Sequence, residues 1–161
     1  MKTNFEERIL QMTKAHQQLI QEPNQKLATE NGIYHRYQNP VLTAQHIPLN
    51  WRFDFNPLTN PFLIERFGVN AVLNAGAIKL NGKYILMARV EGNDRKSFFA
   101  IAESPNGVDQ FKFWDKPVVM PETENPDTNI YDIRLVAHED GWIYGLFCTE
   151  RRDSKASKGD Q

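Results

Sequence analysis

The chain has 161 residues, 40% of them hydrophobic, which is enough for one domain with a real core. Nineteen basic residues against twenty acidic ones leave a net charge of −1, which excludes the basic footprint of a nucleic-acid binder and the polybasic patch of a membrane-surface protein. A single cysteine, Cys148, excludes an internal disulfide and fits a reducing, cytoplasmic setting. No apolar run reaches the roughly 18 residues of a membrane span, and the opening MKTNFEERIL lacks the apolar stretch of a secretory signal.

Residues 3–22 predict one amphipathic helix. Thr3 and Glu6 have the spacing of a capping box, Phe5, Ile9, Met12, His16, Leu19 and Ile20 recur at helical intervals, and Pro23 ends the run. Such a helix docks on its own domain or, standing apart from it, makes an oligomer contact. Residues 23–70 read as a loop-rich segment with prolines at 23, 40, 48, 57 and 61 and room for one or two short strands. Trp51, Phe53, Phe55, Phe62 and Phe67 require burial, so this segment lies on the domain and forms no other.

From residue 71 the pattern turns to strands and tight turns. NAGAIKL (74–80), Asn81-Gly82 and KYILMARVE (83–91) make a hairpin signature. SFFAIAES (97–104), the turn Pro105-Asn106-Gly107 and FKFWDKPVVMP (111–121) extend it to four strands. The pattern then restarts with DIRLVAH (132–138), Glu139-Asp140-Gly141 and WIYGLFCTE (142–150). Gly82 falls on Gly141 and Glu91 on Glu150, 59 positions on; Asn74 falls on Asp132, 58 positions on, the second turn being one residue longer. A repeated four-strand meander predicts an all-β protein built of β-propeller blades. A sandwich also has many short strands but lacks this self-similarity. One blade spans 71–121 and the start of the next 129–151, within a single domain of 1–161. Propellers close rings of about four to eight blades. One and a half blades leave open edges, so the expectation is an incomplete propeller domain, inactive alone and unable to persist as a monomer.

NIYDIRL (129–135) reads as a strand yet holds Asp132 and Arg134, which alternation points to one face roughly 7 Å apart. A solvent-facing ion pair of small energy accounts for them. So does a pocket face: the first strand of a propeller blade lines the central channel, and Asp132 and Asn74 would stand level on neighbouring blades. MARVEGNDRKSF (87–98) crowds Arg89, Glu91, Asp94, Arg95 and Lys96 at a strand end. This is a solvated loop or, because Arg89 follows an apolar run, a buried guanidinium whose fork suits sugar hydroxyls, carboxylate or phosphate. CTERRD (148–153) occupies the equivalent place one repeat later, where two arginines suit an anion. The four histidines show no metal-ligand spacing, so no metal is expected. Cys148 reads as a core thiol.

The runs NAGAIKLNGKYILMARVEGNDRKSFFAIAESPNG and NPDTNIYDIRLVAHEDGWIYGLFCTER resemble glycoside hydrolase family 130, most nearly its mannosylglucose phosphorylases. The likeness extends to the N-terminal helix and to NPVLTAQHIP. It implies a five-bladed β-propeller and reversible, inverting phosphorolysis of β-1,4-mannosyl-glucose to mannose 1-phosphate and glucose. No cofactor is implied; inorganic phosphate is a substrate. Residue by residue, the resemblance puts Asp132 at the catalytic aspartic acid, acting through a mannose hydroxyl, with Tyr131 beside it. It puts Asn74, Arg89 and Arg95 at sugar-lining positions and Arg151 at a phosphate-binding arginine, the other phosphate ligands belonging to later blades. A cytoplasmic homo-oligomer with disaccharide and phosphate as partners, and neither nucleic acid nor membrane, completes the expectation. A single carboxylate suits a phosphorylase, whose nucleophile is already an anion, whereas an inverting hydrolase needs a second one to deprotonate water. Two other readings stay open. One is a β-mannoside hydrolase on the same fold, with Glu91 and Glu150 as candidates for the second carboxylate. The other is a non-catalytic fragment that only binds sugar or assembles.

Overall fold

The computed structural model describes residues 4–30, 32–122, 124, 127 and 129–151. The expected helix forms as α1, Asn4–Gln21, with Glu6 and Glu7 in its first turn where they complement the helix dipole. The Thr3 half of the capping box lies outside the described residues. No residue of α1 is fully buried. The helix is held instead by polar contacts: Arg8 Nη2 donates to the carbonyl of Phe62 at 3.1 Å and His16 Nε2 to that of His46 at 3.2 Å. Among the described residues no helix is long and apolar enough to cross a membrane.

The loop-rich segment contains the two short strands that its composition leaves room for, β1 (Lys26–Glu30) and β2 (His35–Tyr37), paired antiparallel. Two helical turns follow, a 3-10 turn at Ala44–His46 and α2 at Leu49–Arg52. The first is closed by His46, whose Nδ1 accepts the backbone N–H of Thr43 at 3.0 Å, the place usually taken by Glu or Gln in a capping box. Asn24 ties the segment to the sheet, its N–H donating to Asp109 and its amide to the carbonyls of Asn39 and Val108.

The main sheet is the antiparallel meander that the turn spacing predicts: β3 (Val69–Leu80), β4 (Lys83–Gly92), β5 (Ser97–Ser104) and β6 (Lys112–Phe113), adjacent in that order. Asn81 and Gly82, both at positive φ (50° and 80°), form the tight turn between β3 and β4. The expected strand over 111–121 is cut to two residues. Asp115 and Lys116 bend the chain and Pro117 and Pro121 have no N–H to give, so only isolated hydrogen bonds, Trp114 N–H to Ile101 O and Val118 N–H to Phe99 O, carry the edge further. A separate hairpin follows, β7 (Asn129–Ala137) with β8 (Ile143–Glu150). The architecture is mostly sheet with one long helix, compatible with part of a propeller.

Strand alternation gives the main sheet two buried faces. Ala88 and Val90 of β4 and Ala100 and Ala102 of β5 pack on one side against Leu42, Ile47, Phe111 and Phe113. Met87 and Phe99 point the other way, against Ile130 and Ile133 of β7. Gly76 of β3 lets β7 approach closely: a Cβ there would stand 3.0 Å from Leu135 Cγ and 3.1 Å from the carbonyl of Ile133. Two expectations of burial are corrected. Phe62 is 72% exposed, held at the tip of a loop outside both cores. Cys148 is exposed rather than a core thiol, because β8 pairs only with β7. Phe147, from the same strand, turns inward and meets the edge of Phe99 with ring centroids 5.5 Å apart.

Candidate functional site

Both hairpins carry a β-bulge in their first strand, in nearly the same place, the second one residue nearer its turn. Between the pairs Val72↔Val90 and Ala75↔Ala88 the chain of β3 spends one more residue than its partner, and β7 does the same between Tyr131↔Cys148 and Arg134↔Leu146. Asn74 stands in the first bulge and Asp132 in the second. The bulge explains why Val72 and Ala75 share one core, and Ile130 and Ile133 the other, although each pair is three positions apart. It also corrects the simple alternation drawn through NIYDIRL. Asp132 adopts a left-handed backbone, φ 59°, a conformation that Asp and Asn tolerate better than most residues. Arg134 is exposed and donates to the carbonyl of its neighbour Ile133 at 2.9 Å; no ion pair joins it to Asp132 among the described residues. What Asp132 meets instead is its repeat partner: Asn74 Nδ2 donates to Asp132 Oδ1 at 2.5 Å.

Opposite the first bulge, on β4, lies Arg89. Its guanidinium is fixed on three sides, with Nε donating to Ser97 Oγ at 2.8 Å, Nη2 to Glu91 Oε2 at 2.9 Å, and the plane 5.4 Å from the ring centre of Tyr131. Glu91 is buried, and its second oxygen accepts from Asn70 at 2.6 Å and from Arg95 at 3.2 Å. These hydrogen bonds, Asn70 first, and the two guanidinium charges hold the Glu91 carboxyl below its usual range against the opposing effect of burial. Arg95 itself is largely exposed at positive φ, 65°. Burial first, then the charge and hydrogen bond of Glu150, push the Tyr131 phenol above its ordinary value, so it stands as a neutral donor beside Asp132.

Five of the six expected residues, Asn74, Arg89, Arg95, Tyr131 and Asp132, thus form one connected set across β3, β4, the β4–β5 loop and β7. Arg151 stands at its margin, just past β8, with Nε donating to Asp127 Oδ1 at 2.7 Å. Arg152, the second arginine of that cluster, lies outside the described residues. Asn70, Ser97 and Asn129 adjoin this set without any mark in the sequence pattern: Asn70 and Ser97 bond Glu91 and Arg89, and Asn129 Oδ1 accepts the backbone N–H of Ser97 and so fastens β7 to β5. Each looks like an ordinary polar residue at a strand end, and only the strand register shows that they converge. The clefts of about 190 and 550 Å³ lie elsewhere, beside α1, and include none of the six. They are gaps beside a helix that buries no residue fully. Asp132 stands on an open face.

No family model matches the chain. It is 56% identical over 156 residues to 4-O-β-D-mannosyl-D-glucose phosphorylase of Bacteroides fragilis, an overlap that takes in 97% of this chain and 40% of that protein. The chain therefore spans less than half the length of the curated relative it matches. The likeness drawn from the quoted runs is thereby shown: over almost its entire length the chain is similar to a mannosylglucose phosphorylase.

Proposed function

We propose that this stretch carries the acid and much of the sugar-contacting surface of an inverting glycoside phosphorylase. It would act on β-1,4-mannosyl-glucose and phosphate to give mannose 1-phosphate and glucose. The observation that carries this reading is the 56% identity to a mannosylglucose phosphorylase. The geometry supports it. With Oδ1 of Asp132 engaged by Asn74, Oδ2 accepts no hydrogen bond among the described residues and is available to hold the proton. Phosphate oxygen attacks the anomeric carbon of mannose from the face opposite glucose, the carbon–oxygen bond to glucose breaks, and the departing oxygen receives the Asp132 proton through a mannose hydroxyl. Arg89 and Arg95 hold sugar hydroxyls, with Tyr131 as a platform. Arg151 exchanges Asp127 for phosphate, a ligand with more charge and more acceptor oxygens.

On this reading β3–β6 form one blade of a five-bladed propeller and β7–β8 begin the next, in a cytoplasmic, self-associating protein. The hydrolase reading loses support from Glu91, whose two oxygens are taken by Asn70 and two arginines, leaving neither to activate water. The 40% share of the relative favours a second reading for this chain taken alone, sugar binding without turnover. Glucose release from mannosyl-glucose with and without phosphate separates them. A phosphorylase requires phosphate, a hydrolase does not, and a binding fragment shows saturable sugar binding with no release in either condition.

A further inference from the structure

We infer that Glu91 is a positioning residue that sets both arginines of the sugar-binding face through the two oxygens of one buried carboxylate. What those arginines bind rests on the function proposed above; that Glu91 holds them does not. A carboxylate only 8% exposed is costly unless each oxygen is paired. Glu91 meets that condition with ligands from three places: Asn70 on β3, Arg89 on its own strand, and Arg95 in the loop that follows. Oε2 serves Arg89 alone, and Oε1 is shared by Asn70 and Arg95. Arg95 most needs such a partner. Its side chain is 76% exposed, so nothing else packs it in place, and Glu91 is its ion-pair partner among the described residues.

Arg89 gains something different. With Nε on Ser97, Nη2 on Glu91 and its plane against Tyr131, its Nη1 makes no hydrogen bond among the described residues, which leaves that nitrogen to a ligand. Arg89 and Glu91 are two apart on one strand and share a face, the face that packs on β7 and the Asp132 bulge. The repeat supports the assignment. Glu150, the counterpart of Glu91, hydrogen-bonds Tyr131, so each hairpin ends in a glutamate that holds a residue of the same set.

The test is Glu91→Gln in the complete protein, with Asn70→Ala as a second variant that keeps every charge and removes one ligand of Glu91. The first readout is the side-chain ¹⁵N–¹H signals of Arg89 and Arg95. Both should lose their slowed exchange with solvent in Glu91→Gln, and Arg95 should lose it in Asn70→Ala. The second is kinetic. KM for the disaccharide should rise about ten- to hundredfold in Glu91→Gln, KM for phosphate should change less than about twofold, and the pH limbs of kcat should stay in place. Unchanged arginine signals would overturn the inference, as would a moved pH limb, which would make Glu91 an acid or base. Should Glu91→Gln not fold, the signals of Asn70→Ala decide by themselves. A wild type without phosphate-dependent turnover would remove the proposed function, while the arginine signals would still decide the role of Glu91.

Discussion

Asn74 and Asp132 lie 58 positions apart, one repeat unit, and are joined by a hydrogen bond of 2.5 Å from the amide nitrogen of the first to the carboxylate of the second. Each stands in a bulge of the first strand of its hairpin, the two bulges lying within one residue of each other in the repeat. A bulge turns a residue out of the pleat without breaking the strand. The same local device, used twice, therefore aims an amide from one hairpin at a carboxylate of the next.

Asn74→Ala should leave the fold intact, because the residue is exposed. It frees Asp132 to rotate, and misplacement of a catalytic group by about 1 Å lowers turnover by up to about a hundredfold. Thermal unfolding together with kcat checks this: an unchanged midpoint with lowered kcat is expected.

Gly76→Ala should loosen the contact between the two sheets. The added methyl would lie 3.1 Å from the carbonyl of Ile133 and 3.2 Å from the amide nitrogen of Leu135, backbone atoms that move only if β7 moves. Overpacking of this kind costs about 1–3 kcal/mol. Urea unfolding measures the loss, and turnover should fall with it because Asp132 sits on the displaced strand.

Arg151→Ala should raise the phosphate requirement more than the disaccharide requirement, by the about 1.5–3 kcal/mol of one charge-assisted ligand. Asp127→Ala should do the opposite, releasing Arg151 from its ion pair. Separate KM determinations for the two substrates decide the matter; equal weakening for both would make Arg151 structural.

Acid should weaken the seat of α1. His46 is held below its ordinary value of 6.5, by burial first and by the nearby charge of His16 second, with Glu22 acting the other way. Its Nδ1 must also stay unprotonated to accept the Thr43 N–H. The unfolded chain therefore binds this proton more readily, so stability is complete above about pH 6.5 and declines as the pH falls below it toward the folded value. The unfolding midpoint measured from pH 7.5 to 5.5 should drop, and His46→Gln should flatten that part of the profile.

Much of this was legible in the chain. Asn81-Gly82 and Glu139-Asp140-Gly141 mark the two hairpins, and helical spacing with Pro23 marks α1. The bulges were not, because strict alternation assigns Asp132 and Arg134 to one face, and an inserted residue leaves no mark in hydrophobicity. Pro117 and Pro121 foretold the shortening of β6, but the apolar Val118, Val119 and Met120 between them outweighed that signal. Cys148 follows the pattern of a buried strand, and its exposure depends on what flanks β8. The linkage of Asn70, Glu91 and Arg95 is a matter of register between strands, which composition does not carry.

The most direct measurement follows product formation from 4-O-β-mannosyl-glucose by the complete protein, wild type beside Asp132→Asn, with and without phosphate. Asn keeps the side-chain shape and tolerates the left-handed backbone at this position, φ 59°, but has no proton to give. The expected result is mannose 1-phosphate and glucose from the wild type in phosphate alone, and a folded Asp132→Asn variant that yields neither. Glucose released without phosphate, or Asp132→Asn turning over as fast as wild type, would contradict the assignment.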